Sequence, residues 1–259
     1  MGRKGLSPAL ITYGLETQFV GQSVIYYPRL TSTMEVAKRQ ARLGAAEGTV
    51  VIAGEQTAGK GRIGRVWLSP EGSIALSIIL YPSLVYLPSL IMLASLAVVR
   101  SIEAVTGLKS QIKWPNDVLV NGRKVCGILI ESDVQGDAVI YAVIGIGVNV
   151  NLRLSDVPEI SSLATSLSDE LGRDVSLLSL IRRLLVEVEG LYLTLLAEGS
   201  IYEEWRDSLV TLGRKVRAES GKNKCEGIAE SVARDGSLLL RQANGSLTKI
   251  VAGDVTLRN

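Results

Sequence analysis

Ile112-Lys113-Trp114-Pro115-Asn116-Asp117-Val118-Leu119-Val120-Asn121-Gly122-Arg123-Lys124-Val125-Cys126-Gly127-Ile128-Leu129-Ile130-Glu131 reads as two strands, residues 112–120 and 124–131, folded back on each other. Asn121-Gly122 between them is a type I′ hairpin signal, because both central positions of that turn need positive φ. On this reading Lys113 projects from a rigid strand, and Trp114 and Pro115 beside it imply a structured, partly buried setting. Upstream, residues 24–27, 49–53 and 73–80 read as strands. Ser32-Thr33-Met34-Glu35 has the Ser-x-x-Glu form of a capping box and opens a helix to about Leu43. Residues 89–106 form a second helix, ended near Gly107. Downstream, 138–144 adds a strand, and apolar positions 177, 181, 184, 185, 188, 191, 192 and 195 mark an amphipathic helix over 177–196. From about Gly213 the pattern shortens into alternating strands with turns at Ser220-Gly221, Asp235-Gly236 and Asn244-Gly245, the spacing of a small β-barrel. The result is an α+β chain: a mixed or antiparallel sheet with packed helices over 1–211, and a small β domain over 212–259.

Composition narrows the chemistry by omission. The 259 residues include no histidine, which excludes Ser-His-Asp and Cys-His catalysis and every histidine-dependent zinc motif. Phosphoryl and nucleotidyl transfers, which rest on positioning and charge neutralisation, suit such a site. Cys126 and Cys225 lack CxxC spacing and read as small buried hydrophobes in a reducing cytosol. A formal charge of +2 argues against a general nucleic-acid binder. Residues 72–99 carry no Asp, Glu, Lys or Arg, but Pro82 and Pro88 divide them, and the apolar run that remains falls short of the ~20 residues needed to cross a bilayer. They read as a buried strand and a core helix. With no apolar signal region after the basic N-terminus, a cytoplasmic enzyme with no membrane partner is expected.

The loop Gln56-Thr57-Ala58-Gly59-Lys60-Gly61-Arg62-Ile63-Gly64-Arg65 stands about fifty residues before Lys113-Trp114-Pro115-Asn116-Asp117. Together they suggest an anion site with two cationic arms, since lysine meets phosphate as a point charge and arginine as a planar fork. Two commoner phosphate motifs fail. Gly54 to Lys60 spells a P-loop except that Gly61 replaces the magnesium-binding Ser or Thr. Gly59, Gly61 and Gly64 satisfy G-x-G-x-x-G, yet Pro70 and a strand follow rather than a helix, and no acidic residue lies between Glu71 and Glu103. Taken alone, the loop is weak evidence, and a flexible surface hairpin tip is its alternative reading.

These two motifs, followed by Gly145-Ile146-Gly147-Val148-Asn149 and the β-rich C-terminus, resemble biotin protein ligase over nearly the whole chain from about residue 24. The resemblance implies a class II aminoacyl-tRNA synthetase-like catalytic domain, an SH3-like β-barrel at the C-terminus, and an ATP-dependent ligase. It would form biotinyl-5′-AMP from biotin and ATP, release pyrophosphate with Mg2+, and transfer biotin to a lysine of a biotin carboxyl carrier protein. The family's pattern gives Lys113 and Arg62 the catalytic roles, Lys113 serving the carboxylate and α-phosphate. It gives Ser32, Thr33, Met34, Gln56, Gly59, Lys60, Gly61, Arg62, Lys113 and Gly127 to biotin, and Arg65, Trp67, Asn116, Gly147 and Asn149 to the nucleotide. It also implies a homodimer.

Blander readings stand beside these roles. Ser32 caps a helix; Gly145 and Gly147 shape a strand end; Trp67 and Trp114 are core aromatics, a reading favoured for Trp114. Asp117 accepts backbone N–H bonds in a turn rather than holding magnesium. Two positions depart from the family: Met34 stands where asparagine is usual, and Lys60 where some members carry arginine, which keeps charge but loses the fork. About two dozen residues precede the first strand, too few for a helix-turn-helix, so DNA binding is not expected. The alternatives are a lipoate–protein ligase and a non-catalytic module that sequesters a cofactor.

Overall fold

The computed structural model describes residues 6–154, 161–220, 223–251 and 253–257. Residues 1–5, and Gly221 of the expected Ser220-Gly221 turn, lie outside them. In chain order the elements are α1 Pro8–Thr12, β1 Val24–Leu30, α2 Thr33–Arg42, β2 Val50–Gln56, β3 Ile74–Leu80, α3 Leu90–Thr106, β4 Gln111–Lys113, β5 Asp117–Val120, β6 Arg123–Gln135 and β7 Ala138–Val148. There follow α4 Leu167–Leu171, α5 Leu177–Leu196, α6 Tyr202–Asp207, β8 Lys215–Ser220, β9 Asn223–Val232, β10 Leu238–Arg241, β11 Leu247–Ile250 and β12 Asp254–Leu257. Strands β1 to β7 form one sheet in the order β1-β2-β3-β7-β6-β5-β4, parallel only between β1 and β2, which is the mixed sheet expected.

The stretch expected to be one strand from 112 to 120 is two. Pro115 has no N–H to give a ladder and fixes φ, so the chain turns over 114–116 and returns antiparallel, with Lys113 opposite Asp117. Beyond the Asn121-Gly122 turn, where φ is 50° and 76°, β6 pairs with β5, so the stretch is a three-stranded meander. Strand β1 runs three residues further than expected and tolerates Pro28 because it is a sheet edge.

Both faces of the sheet are covered, which is why every residue of β3 is buried. On one face α3 and α5 pack Leu93, Leu96, Leu184 and Val188 against Leu76, Ile78 and Ile144. The apolar segment ending in α3 is thus a core element. On the other face α2 lays Met34, Ala37 and Ala41 on Val51, Ile79 and Val143. Glu189 of α5 is 5% exposed and accepts the backbone N–H groups of Gln18, Phe19 and Val20, tying the N-terminal segment to the core.

Strands β8 to β12 make a five-stranded antiparallel sheet in the order β11-β10-β9-β8-β12. It docks on the turn after β4. The Trp114 backbone N–H donates to Thr211, and its indole N–H donates to the Gly236 carbonyl at 2.8 Å. Trp114 is 2% exposed, a core aromatic as favoured.

Candidate active site

The cleft lies on the α2 face of the sheet, where glycines leave the floor bare. Gly127 of β6 is register partner to Gly147 of β7, and Gly145 lies two residues before Gly147, so all three share one face. That space is claimed. A Cβ at Gly145 would come within 2.5 Å of Met34 Sδ, and one at Gly147 within 2.3 Å of Trp67 Nε1. The two glycines therefore do more than end a strand: they admit a thioether and an indole over the backbone. The cleft is open to solvent on one side, and its space, counted with that solvent, is about 750 Å³.

One wall is the N-terminus of α2. Ser32 is its cap residue, but its hydroxyl makes no capping bond, and Glu35 does not reach back. The expected capping box is absent because Glu35 pairs instead with Lys60 and Lys38. Gln56, at the end of β2, takes over the cap: its Oε1 accepts from the Thr33 N–H at 2.8 Å and the Thr33 hydroxyl at 3.1 Å, while Ser77 donates to Thr33. With Oε1 engaged, the amide nitrogen of Gln56 is the group it can turn to a ligand. The Ser32 hydroxyl is buried without a hydrogen-bond partner, and so is the indole N–H of Trp67. Both residues line the cleft. Buried polar atoms are nearly always paired, so two unpaired ones on residues that line one cleft are bonding positions open to a polar ligand.

The opposite wall is the glycine and arginine-rich loop, folded as a hairpin whose bridges join Gln56 to Ser69 and Lys60 to Val66. It is a surface hairpin whose basic side chains border the cleft, Arg62 largely buried and Arg65 largely exposed. Arg62 donates to Asn116 Oδ1 at 2.8 Å and to the Gly253 carbonyl at 3.1 Å; Arg65 pairs with Asp254 and Lys60 with Glu35. Burial pushes the Arg62 guanidinium down, and Asp254 and Asp117 oppose that shift. Bonds from Lys60 and Lys38 hold the Glu35 carboxyl at about 2.

Twelve expected residues line this cleft: Ser32, Thr33, Met34, Gln56, Lys60, Gly61, Arg62, Arg65, Trp67, Asn116, Gly127 and Gly147. Lys113, Gly59 and Asn149 do not. Gly59 serves the hairpin: its carbonyl accepts from Trp67, and a Cβ there would meet the Trp67 carbonyl at 2.3 Å. Asn149 is buried and spends its N–H on Val125 and its amide on Thr165. Lys113 is on the cleft's face but at the sheet edge, in the row Lys113, Asp117, Gly127, Gly147. Two strand spacings, roughly 10 Å, separate it from Gly127.

The lysine that does enter is Lys124, whose Nζ pairs with Asp117 at 2.6 Å and sits 5.3 Å from the centre of the Trp67 ring. Asp117 is thus half of an ion pair, not a turn carboxylate. Strict alternation from Gly127 would send Val125 to the cleft and Lys124 to the core. A β-bulge prevents that: Val118 pairs with Cys126 but Leu119 with Lys124, so Val125 and Cys126 both bury and Lys124 turns to the cleft. Charge at either end of a tight hairpin was the available signal for this pair. Asp254, also on the cleft, carried no local signal because it arrives from the other sheet.

A glycine-floored cleft closed by a basic hairpin is the site of a ligase of the kind described by the "Biotin/lipoate A/B protein ligase family" model, which matches residues 26–149. Residues 211–258 match "Biotin protein ligase C terminal domain". The chain is 39% identical over 258 residues to the bifunctional ligase/repressor BirA of Bacillus subtilis, covering 97% of this chain and 79% of that protein. It is 32% identical to the biotin–[acetyl-CoA-carboxylase] ligase of Mycobacterium tuberculosis, covering 98% of this chain and 97% of that one. Among solved structures, the biotin protein ligase from Aquifex aeolicus in complex with biotin and ATP aligns with a TM-score of 0.75 at 29% identity, over 92% of this chain and 99% of that chain. The chain belongs to the biotin protein ligase family.

Proposed function

We propose that this biotin–protein ligase activates biotin in the cleft between α2 and the basic hairpin, with Lys124 and Arg62 as the catalytic cations. A carboxylate oxygen of biotin attacks the α-phosphorus of ATP, the bond to the bridging α,β oxygen breaks, and pyrophosphate leaves. The ε-amine of a lysine on a biotin carboxyl carrier protein then attacks the mixed anhydride, loses a proton, and displaces AMP. Two anions must first meet, and Lys124 and Arg62 neutralise their repulsion and the charge gathering at phosphorus. No histidine is needed for this. Gln56, Ser32 and Thr33 hold the polar head of biotin; Arg65 and Lys60 attract the phosphates; Trp67 supplies a flat wall.

Among the described residues no three Cys, Asp or Glu side chains converge on a metal position. The cleft's Asp117 and Asp254 are paired with Lys124 and Arg65. This donor set fits a magnesium ion that would be held mainly by polyphosphate oxygens and water, with Asp117 as at most one protein ligand, where it would ease departure of pyrophosphate. The reading includes a cytoplasmic location, consistent with the free Cys126 and Cys225, and a homodimer, on the ground of resemblance alone.

The observation that carries the reading is the convergence of two orphaned polar atoms, Ser32 Oγ and Trp67 Nε1, with Arg62 and Lys124 on one glycine floor. The test is incubation with ATP and either biotin or lipoate, with mass spectrometry of the products and then of an added carrier. Biotinyl-5′-AMP and a carrier heavier by one biotin are expected. Lipoyl adenylate alone would establish the lipoate ligase instead, and no adenylate with either would leave a binding module.

A further inference from the structure

The basic hairpin already holds an anion, and that anion comes from the other sheet. Asp254 is the first residue of β12, and its carboxylate pairs with Arg65 while standing 3.9 Å from Arg62 Nη1. The preceding carbonyl, Gly253 O, accepts from Arg62 Nη2. Asp254 lines the cleft with its side chain 25% exposed, although no other described residue of its sheet reaches the cleft. A carboxylate between two guanidinium forks is the contact a phosphate would make with them. Strand β12 is an edge, held in its sheet by β8 alone, so the segment carrying Asp254 is tethered on one side only.

We infer that Asp254 is an intramolecular stand-in for the nucleotide's polyphosphate: it positions Arg62 and Arg65, and the polyphosphate must displace it to bind. The inference rests on the reading that these arginines receive phosphates. Asp254 carries one negative charge, whereas the β- and γ-phosphates carry several, so the nucleotide wins the arginines and the carboxylate is repelled. Loss of the Arg65 and Asp254 contact then frees the hairpin from the C-terminal sheet. Nucleotide binding and the attachment of β12 to the hairpin are therefore opposed, and each weakens the other by the same factor.

The sign of the effect separates this role from a structural one. Removing a competing charge strengthens polyphosphate binding, whereas damage to a supporting contact weakens it. For a partly exposed ion pair worth about 1 kcal/mol, the gain is about fivefold in affinity. The experiment is calorimetry of inorganic pyrophosphate and of ATP with the full chain and with Asp254→Asn, together with hydrogen exchange of residues 57–68 without ligand. The variant should bind both anions more tightly at low salt, with the difference shrinking as salt rises, and its hairpin should exchange faster. Equal or weaker binding by Asp254→Asn, while the parent still forms biotinyl-5′-AMP, overturns the stand-in role and leaves the activity intact. A parent that binds neither anion overturns both.

Discussion

Replacing Lys124 by alanine should cripple adenylate formation, and replacing Lys113 should not. Lys124 Nζ would stand 3.3 Å from a Cβ placed on Gly127, so its charge lies in the cleft itself. At about 4 Å from a reacting phosphate, with an effective dielectric near 20, one charge contributes up to about 4 kcal/mol. Allowing for relaxation, a loss of about 3 kcal/mol is reasonable, or ~10²-fold in rate. Lys113 is partly buried and roughly 10 Å from Gly127, where the same relation gives about 1.7 kcal/mol at that dielectric and about 0.4 under full water screening. Its alanine variant should lose between about twofold and about twentyfold. Lys124→Ala also strands Asp117, so the double variant Lys124→Ala/Asp117→Asn is the control for an uncompensated carboxylate. The assay is single-turnover formation of biotinyl-5′-AMP at saturating ATP and biotin, with circular dichroism to verify folding. A larger loss from Lys113→Ala than from Lys124→Ala would refute the reasoning from sheet register.

Arg62→Gly should release the intermediate: the variant loses the bonds to Asn116 and Gly253, so the hairpin closes poorly over an anhydride that Lys124 can still help form. Bystander biotinylation of an unrelated lysine-rich protein should rise, and no rise while adenylate still forms would mean that closure depends on other contacts. Gln56→Glu keeps an oxygen for the Thr33 N–H but loses the amide donor, so biotin affinity should fall about tenfold or more while ATP affinity changes little; equal losses by calorimetry would contradict that division of labour. Glu35 links Lys60 to Lys38 with its pKa lowered to about 2 from 4.5. Because the folded value lies below the unfolded one, its contribution is complete above pH 4.5 and is lost as pH falls toward 2. Parent and Glu35→Gln should differ in thermal midpoint at pH 7 and converge near pH 2, the difference staying small because the pair is about half exposed. A difference that persists unchanged at pH 2 would assign the effect to packing.

Much of the fold was legible because local rules agreed with the global outcome. The continuous apolar run of β3 and the charge-poor α3 signal double-sided burial, and Asn121-Gly122 carries its own turn geometry. The break at Pro115 was equally available. A strand drawn through proline from 112 to 120 conflicts with the missing N–H, and heeding that would have produced the meander and put Lys113 at the edge. The turns at Asp235-Gly236 and Asn244-Gly245 were legible and separate β9, β10 and β11, but nothing local marks β12 or says that it delivers Asp254 to the cleft.

The site divides along the same line. The cationic character of the hairpin could be read from residue type, whereas the start of α2 read locally as a capping box and its place at the ligand came from the family resemblance. Lys124 could not be placed by strand alternation, and the reason is one residue of register. The period of two in a strand assigns each side chain to a face only while the ladder is unbroken, and Val125 interrupts it. Before the bulge the parity is reversed, so the lysine nearest the glycine floor looks, on alternation from Gly127, like the residue that should be buried. The cost of an unpaired buried ammonium gives the missing test. A lysine placed by alternation among Val118, Cys126 and Ile128, all fully or nearly fully buried, would need a partner there, and the hairpin offers its carboxylate, Asp117, on the other face. Reading the charge pair before the alternation places the bulge, and the bulge places Lys124 in the cleft.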